Sequence, residues 1–319
     1  MAPQASRHPS PSERVWRKLQ AAPRAALEHD LSQADLQTLL LDVARRRAAD
    51  VTPARLMQRW RQDRYVQPSA SDPRRVSQAE ARLWALLPGE FTGISPSPIT
   101  PLGSCAALGP VSQNRVISTI RGSEIVSDPT NVLALEAALR RQALRRRTAN
   151  AATDAVHLAA CQTVLRGQPF DAPGAFQHFR LFALVSSARD RGSAATEADM
   201  LIAHLKFWIA ALAALVPRSR ATVGYTVLGF PPLAQRMNDT VLPGLGPVPE
   251  NTTIREDPDR QHGRGYYQRG AIKVHVDGQE IGDGGFTDWT ARLNNDAKER
   301  CFTSCVSTER LAALTQESR

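Results

Sequence analysis

Residues 264–289, RGYYQRGAIKVHVDGQEIGDGGFTDW, gather unusual side chains in one short stretch. Tyr266 and Tyr267 lead into an alternating strand, which turns at Asp277-Gly278. A second strand ends in Asp283-Gly284-Gly285. Alternation around an Asp-Gly pair reads as a β-hairpin. A surface hairpin has little need of paired aromatics at one end and a double glycine at the other, so this one is expected to sit beside something. Two arginine-rich runs, ARRRAAD (44–50) and LRRQALRRRT (139–148), would attract anions such as phosphates or nucleic acid, or simply form solvated helix faces. Cys301 and Cys305 stand four apart and would share one helical face, but no second close Cys or His pair supports a zinc site. Small half-buried cysteines are the expected reading.

The chain has 319 residues, enough for one large domain or two smaller ones. Hydrophobic residues make up 42% and charged residues 22%, a balance typical of soluble globular proteins. The net charge is +9, nearly all of it carried by arginine. Aromatics make up only 6% and do not alternate with the basic runs, which argues against a stacking platform for single-stranded nucleic acid. No apolar run is expected to approach the ~18 residues of a membrane span. The N-terminus has no apolar signal core, and the four cysteines are scattered, so a cytoplasmic protein without disulfides is expected.

Residues 1–12 read as a disordered tail and 13–70 as a helical extension, with a Pro/Ser linker at 67–73. Ser32 is a natural N-cap, and Thr52-Pro53 reads as a second helix start. From 74 to 319 the order is a helix (76–87), a proline-bearing extended stretch, and a hairpin of 114–121 with 123–127 turning at Gly122. A helix capped by Asp128 with Pro129 at its first position follows. Then come two strands (155–167 and 176–187), a long helix (196–216), a strand (221–229), a Pro/Gly-rich stretch (231–263), the opening hairpin and a last strand entering a helix. Most neighbouring strands join as hairpins. The expected class is therefore α+β, a mainly antiparallel sheet flanked by helices, and not a doubly wound fold.

This order of motifs resembles the catalytic core of class II aminoacyl-tRNA synthetases. It is most similar to histidyl-tRNA synthetase and to its tRNA-independent relative, the regulatory subunit of ATP phosphoribosyltransferase. The resemblance covers about residues 74–316. It implies that the helix at 76–87 and the strand after it are motif 1, the dimer interface of the family. VSDPT (126–130) sits where the family holds the substrate's α-ammonium group, which assigns Asp128 and Thr130 to amino-acid binding. A fixed carboxylate suits an ammonium group, and Asp128 can cap its helix as well. TVLRGQPFDAPGAFQHFRLF (163–182) resembles motif 2. There Arg166 would grip the α-phosphate of ATP and the substrate carboxylate, because a planar fork binds two oxygens. Gln168 stands in place of a glutamate that contacts the adenine amino group, and Phe179 falls with the ATP site. CFTSCVSTERL (301–311) resembles motif 3, with Glu309 and Arg310 at the ATP phosphates, but Thr303 and Ser307 replace family glycines. Arg264, Tyr266, Tyr267, Gly284 and Gly285 resemble the two histidine-site motifs. Arg264 would be a catalytic arginine, the tyrosines would line the side-chain pocket, and the glycines would let substrate approach the backbone.

The resemblance implies ATP and Mg²⁺ as cofactors, with no metal ligand among the side chains, and a homodimer. The chain ends eight residues after Leu311, so no anticodon-binding domain is expected and tRNA is disfavoured as a partner. A stand-alone synthetase paralogue is expected, forming an adenylate of an amino acid-like molecule for a small or carrier acceptor. The alternatives are a ligand-sensing subunit acting on a partner enzyme and, more weakly, a nucleic-acid-binding protein.

Overall fold

The computed structural model describes residues 11–18, 21–109, 111–147, 154–168, 176–261 and 263–317. Residues 1–10 of the expected tail, most of the loop at 168–175 and the end of the second basic run lie outside the described residues. The chain divides into two compact units, one reaching Gln62 and including Ser118–Ser123, the other comprising Asp63–Ile117 and Glu124 onward. The division thus falls after Gln62 rather than at 67–73.

The first unit is helical: α1 (Pro11–Lys18), α2 (Ala21–Ala25) running into a π-helical turn, α3 (Gln33–Ala49) and α4 (Pro53–Gln62). Pro11 and Ser12 already belong to α1. Ser32 caps α3, its Oγ accepting from Asp35 N at 3.1 Å. Pro53 opens α4, and Thr52 Oγ1 accepts from Arg55 N at 3.4 Å. Neither α3 nor α4 buries a residue.

The second unit carries α5 (Pro73–Leu86), β1 (Phe91–Gly93), β2 (Ile99–Pro101), α6 (Ser104–Leu108), β3 (Ser123–Ile125), α7 (Pro129–Arg147), β4 (Val156–Leu165) and β5 (His178–Arg189). It continues with α8 (Ala195–Leu215), β6 (Ala221–Leu228), α9 (Pro231–Arg236), α10 (Leu242–Gly244) and β7 (Thr252–Glu256). The last elements are β8 (Gln268–Val276), β9 (Gln279–Thr287), α11 (Trp289–Leu293), β10 (Glu299–Ser307) and α12 (Thr308–Glu317). Eight strands form one sheet in the order β1-β4-β5-β10-β9-β8-β6-β7. The central pairings are all antiparallel, and only the edge pairs β1–β4 and β6–β7 are parallel. This is the expected α+β class.

The hairpin turns at Asp277 and Gly278 with φ of 48° and 80°, the doubly left-handed turn that matches strand twist. Its second strand continues past Gly285 to Thr287. Three details depart from expectation. Residues 114–121 form no strand: Gln113–Arg115 is a 3₁₀ turn, and β3 pairs with β2. The turn at Gly122 remains, with Thr119 N donating to Ser123 O at 2.8 Å. The Pro/Gly-rich stretch contains β7, an edge strand paired only with β6. Cys301 and Cys305 lie on strand β10, the expected last strand before a helix, so they do not share a helical face.

Helix α8 is long and apolar enough to cross a membrane by length and composition, against the expectation of no such run. Here it lies on the sheet, with 61% of its most apolar window buried. Its Leu201, Leu205, Trp208 and Leu212 pack with Phe182, Leu184 and Phe302 of the sheet and Leu83 of α5. The opposite face of the sheet packs Leu133, Ala134 and Ala137 of α7 on Leu158, Ala160, Ala183 and Val185. Arg141 of α7 and Glu299 of β10 meet in a fully buried two-pronged ion pair, both contacts at 3.0 Å.

A buried polar chain fastens α8 to β5 and β10. His204 Nε2 meets Ser186 Oγ at 2.8 Å, His204 Nδ1 meets Ser304 Oγ at 2.7 Å, and Trp208 Nε1 donates to the same Ser304 Oγ at 2.8 Å. Burial holds the His204 imidazole well below the ordinary histidine value of 6.5, and nearby His157 adds to the effect. Below that pH the unfolded chain binds a proton that the folded site refuses. The stability is therefore constant above pH 6.5 and is lost as the pH falls below it. Urea unfolding at pH 7.5 and 5.5 should differ by about 1.4 kcal/mol from this one group. His204→Gln should be less stable at both values, with a smaller difference between them.

Candidate functional site

A cavity of about 750 Å³ opens in the second unit. Its walls come from the start of α7, the open end of the β4–β5 pair, the tyrosine turn before β8, strands β9 and β10, and the first turns of α12. Asp128, Thr130, Arg166, Gln168, Phe179, Tyr266, Tyr267, Glu309 and Arg310 all line it. Residues separated by up to 182 positions in sequence (310 less 128) are thus brought to one space.

Arg166 lies just past β4, where its N–H donates to Gln177 O at 2.8 Å and extends the β4–β5 pairing. Its Nε donates to Ser127 O at 2.9 Å, and its guanidinium lies over Phe179, 5.0 Å from the ring centroid. One terminal nitrogen reaches to 3.6 Å from Asp128 Oδ2. The other Asp128 oxygen accepts from Thr130 N at 2.9 Å and Thr130 Oγ1 at 2.7 Å. Asp128 therefore caps α7 with Oδ1, as expected, while Oδ2 lies toward the cavity arginine.

Tyr266 and Tyr267 sit on a turn closed onto Gly263 O at 3.0 and 2.8 Å. Their rings meet edge to face at 4.7 Å, and Tyr266 backs onto Trp289 at 5.6 Å. Burial raises both phenols far above the ordinary value of 10, so each keeps its proton. Burial also raises the thiol of Cys305 and, less strongly, the carboxyl of Glu309. Arg310 is exposed, and its Nη1 donates to Glu280 O at 2.7 Å. Thr303 and Ser307, at the positions of the family's glycines, both line the cavity.

Three predicted site residues lie elsewhere. The Arg264 side chain turns away from the cavity and donates to the carbonyls of Arg260 and Pro258 at 2.5 and 2.8 Å. The space freed by Gly284 and Gly285 is filled by protein, not left for substrate. A Cβ at Gly284 would stand 2.6 Å from Thr303 O of β10, and one at Gly285 would stand 2.4 Å from the Tyr267 ring. Gly285 lets the tyrosine lie against β9, and Gly284 lets β10 approach.

The sequence reading missed Asp283, Arg260, Gly109 and the segment 63–72. Asp283 pairs across strands with Cys305 and lines the cavity. Arg260 is buried, donating to Asp283 Oδ1 at 2.7 Å and Ile272 O at 2.9 Å beneath the Tyr267 ring. A Cβ at Gly109 would stand 3.0 Å from the Tyr266 ring. Tyr65 Oη donates to Gly167 O at 2.8 Å, and Gln67 O meets His178 Nε2 at 2.7 Å, so this segment braces the motif 2-like hairpin. Only the period-2 alternation of β9, which puts Asp283 on the same face as Gly285 and Ile281, offered a signal for any of these.

The cavity has two chemical characters. Asp128, Asp283 and the two phenols are in its lining together with Arg115, Arg166, Arg310 and Gln168, and Arg166 lies 3.6 Å from Asp128. The acids suit a cation and the arginines suit carboxylate or phosphate oxygens. Gly285→Ala should force Tyr267 out of this arrangement and cost about 1–3 kcal/mol by overpacking. Gly89→Ala, where nothing lies within 4 Å of the new Cβ, should unfold in urea like the parent.

No protein-family model matches the chain, and no curated protein matches it. Solved structures do. An ATP phosphoribosyltransferase regulatory subunit/histidyl-tRNA synthetase from Bacillus halodurans aligns at a TM-score of 0.55 with 12% identity, covering 78% of this chain and 83% of that one. A histidine–tRNA ligase subunit from Alicyclobacillus acidocaldarius aligns at 0.55 with 14% identity, covering 79% and 96%. A histidyl-tRNA synthetase from Nostoc aligns at 0.56 with 14% identity, covering 80% and 75%. At these identities the likeness is one of fold, and the chain has the α+β, class II aminoacyl-tRNA synthetase-like fold of the histidyl type.

Proposed function

We propose that the chain binds ATP and a small amino acid-like substrate in this cavity and joins them as an adenylate, which passes to a non-tRNA or unusual acceptor. The observation that carries this is the placement of Asp128 and Arg166, 3.6 Å apart, in one cavity with Arg310. Asp128 Oδ2 would leave its loose contact with Arg166 and take the substrate ammonium group. Arg166 would turn to the substrate carboxylate and the α-phosphate. A carboxylate oxygen then attacks the α-phosphorus, the bond from that phosphorus to the bridging oxygen breaks, and pyrophosphate leaves. No proton has to move. The arginine charge meets the negative charge that builds on the phosphorus oxygens, and that placement lowers the barrier. Gln168 and Phe179 would hold the adenine end. Glu309, Arg310 and the N-terminus of α12 would face the outer phosphates.

Among the described residues, no group of three or more His, Cys, Asp or Glu side chains stands ready to hold a metal ion. Mg²⁺ would therefore arrive on the nucleotide and supply charge neutralisation between its phosphates. Arg264 has no part in this proposal, because its guanidinium is committed to backbone carbonyls away from the cavity.

Thr303 and Ser307 favour a second reading. Thr303 is buried with its hydroxyl toward Gly285 O at 3.4 Å, and the Ser307 hydroxyl sits 3.3 Å from Arg310 N. Both put side chains where glycine would leave room for nucleotide. A cavity that keeps its amino-acid end and loses its nucleotide end would serve a ligand-sensing subunit.

The test is amino-acid-dependent exchange of labelled pyrophosphate into ATP, screened across amino acids. Exchange with at least one of them, reduced about 100-fold or more in Arg166→Ala, is the expected result. Heat stabilisation by an amino acid without any exchange would replace the enzyme with the sensing subunit.

A further inference from the structure

Asp283 is a charged cavity residue that the proposed chemistry leaves unused. Its carboxylate is held from behind. Oδ1 accepts from Arg260 Nη2 and from Gly284 N, both at 2.7 Å. Oδ2 has no hydrogen bond to any described residue, and the side chain keeps 35% of its surface open while Arg260 keeps 1%. Burial raises the carboxyl and Arg260 opposes that rise. The register of β9 on β10 sets Asp283 directly beside Cys305, and the tyrosine pair stands next to both. Both carboxylates and both tyrosines line this one cavity, and each carboxylate adds to the upward shift of the phenols that burial begins.

We infer that the cavity takes an amino acid whose side chain ends in a second ammonium group, and that Asp283 selects it through Oδ2. This rests on the amino-acid reading above, with Asp128 at the α-ammonium end. An apolar side chain beside Oδ2 would strip water from a carboxylate oxygen and return no hydrogen bond, a cost that selects against it. An acidic side chain would meet a second negative charge, because Arg260 is already spent on Asp283 and Ile272 O. A guanidinium prefers two open oxygens in a fork, and Oδ1 already accepts twice. An ammonium is a compact point charge that suits a single open carboxylate oxygen.

Calorimetric titration of the full chain at pH 7.5 with 2,4-diaminobutyrate, ornithine and lysine, each against its neutral isostere and with arginine alongside, tests this. At least one diamino acid should bind tenfold or more tightly than its neutral isostere, and more tightly than arginine. In Asp283→Asn that preference should fall below threefold, while Asp128→Asn should abolish binding of both members of the pair. Equal or tighter binding of the neutral isostere by the parent protein, still abolished by Asp128→Asn, overturns the inference and leaves the amino-acid site standing. A preference that survives Asp283→Asn overturns the role of Asp283. No binding by any of these amino acids overturns both the inference and the site. The comparison within the parent protein decides the matter even if Asp283→Asn fails to fold.

Discussion

The register of β9 against β10 is the constraint on which the site depends. Cys305 faces Asp283, Thr303 faces Gly285 and Ser304 faces Gly284. Because side chains alternate along a strand, a slip of β9 by one residue would turn Asp283 from the cavity to the α8 face while Cys305 stayed in place. The register is held from both sides. On one face, Phe302, Ser304 and Val306 lock into α8 and its buried His204 and Trp208. On the other, Gly285 leaves room for the ring of Tyr267, while Gly284 lies tight against Thr303 and Ser304 of β10. The same residues that exclude a slipped sheet therefore aim the cavity's acids.

The charges in the cavity differ in how firmly they are held. Arg260 and Asp283 form a tight pair on a buried arginine, and Arg141–Glu299 is sealed in the core. Removing one partner of such a pair strands a charge, so these pairs fix geometry. Arg166 and Asp128 are about a third and a quarter open to solvent, and their closest approach is 3.6 Å. A contact of that kind is worth at most about 1 kcal/mol. It is weak enough to exchange for a ligand, while Ser127 O and Phe179 keep the arginine in place when it does.

Local signals in the sequence were reliable where the physics is local. The caps at Ser32 and Asp128, the Asp277-Gly278 turn and the strands of the hairpin around it need only a few neighbouring residues, and all appear. β7 was hidden because its pairing is with β6 across the whole 229–251 connection, and the prolines and glycines of the stretch around it read as loop. Gly284 and Gly285 were seen, but what fills their missing side chains depends on Tyr267 and β10, and no spacing rule supplies that. Arg264 was singled out over Arg260 for its place beside Gly265, yet it is Arg260 that the fold buries against Asp283. The motif order carried the fold because it is a property of the whole chain, whereas substrate choice rests on single side chains brought together by the sheet.

The central claim is that one cavity holds an amino acid and a nucleotide joined through phosphorus, with Asp128 at one part and Arg166 at the junction. Equilibrium binding of non-hydrolysable aminoacyl-sulfamoyl adenosines tests it most directly. A suitable member of the series should bind at least 100-fold more tightly than AMP or the free amino acid, and both Asp128→Asn and Arg166→Ala should remove that gain. Binding no tighter than AMP alone across the series, or a gain that survives both substitutions, would contradict it.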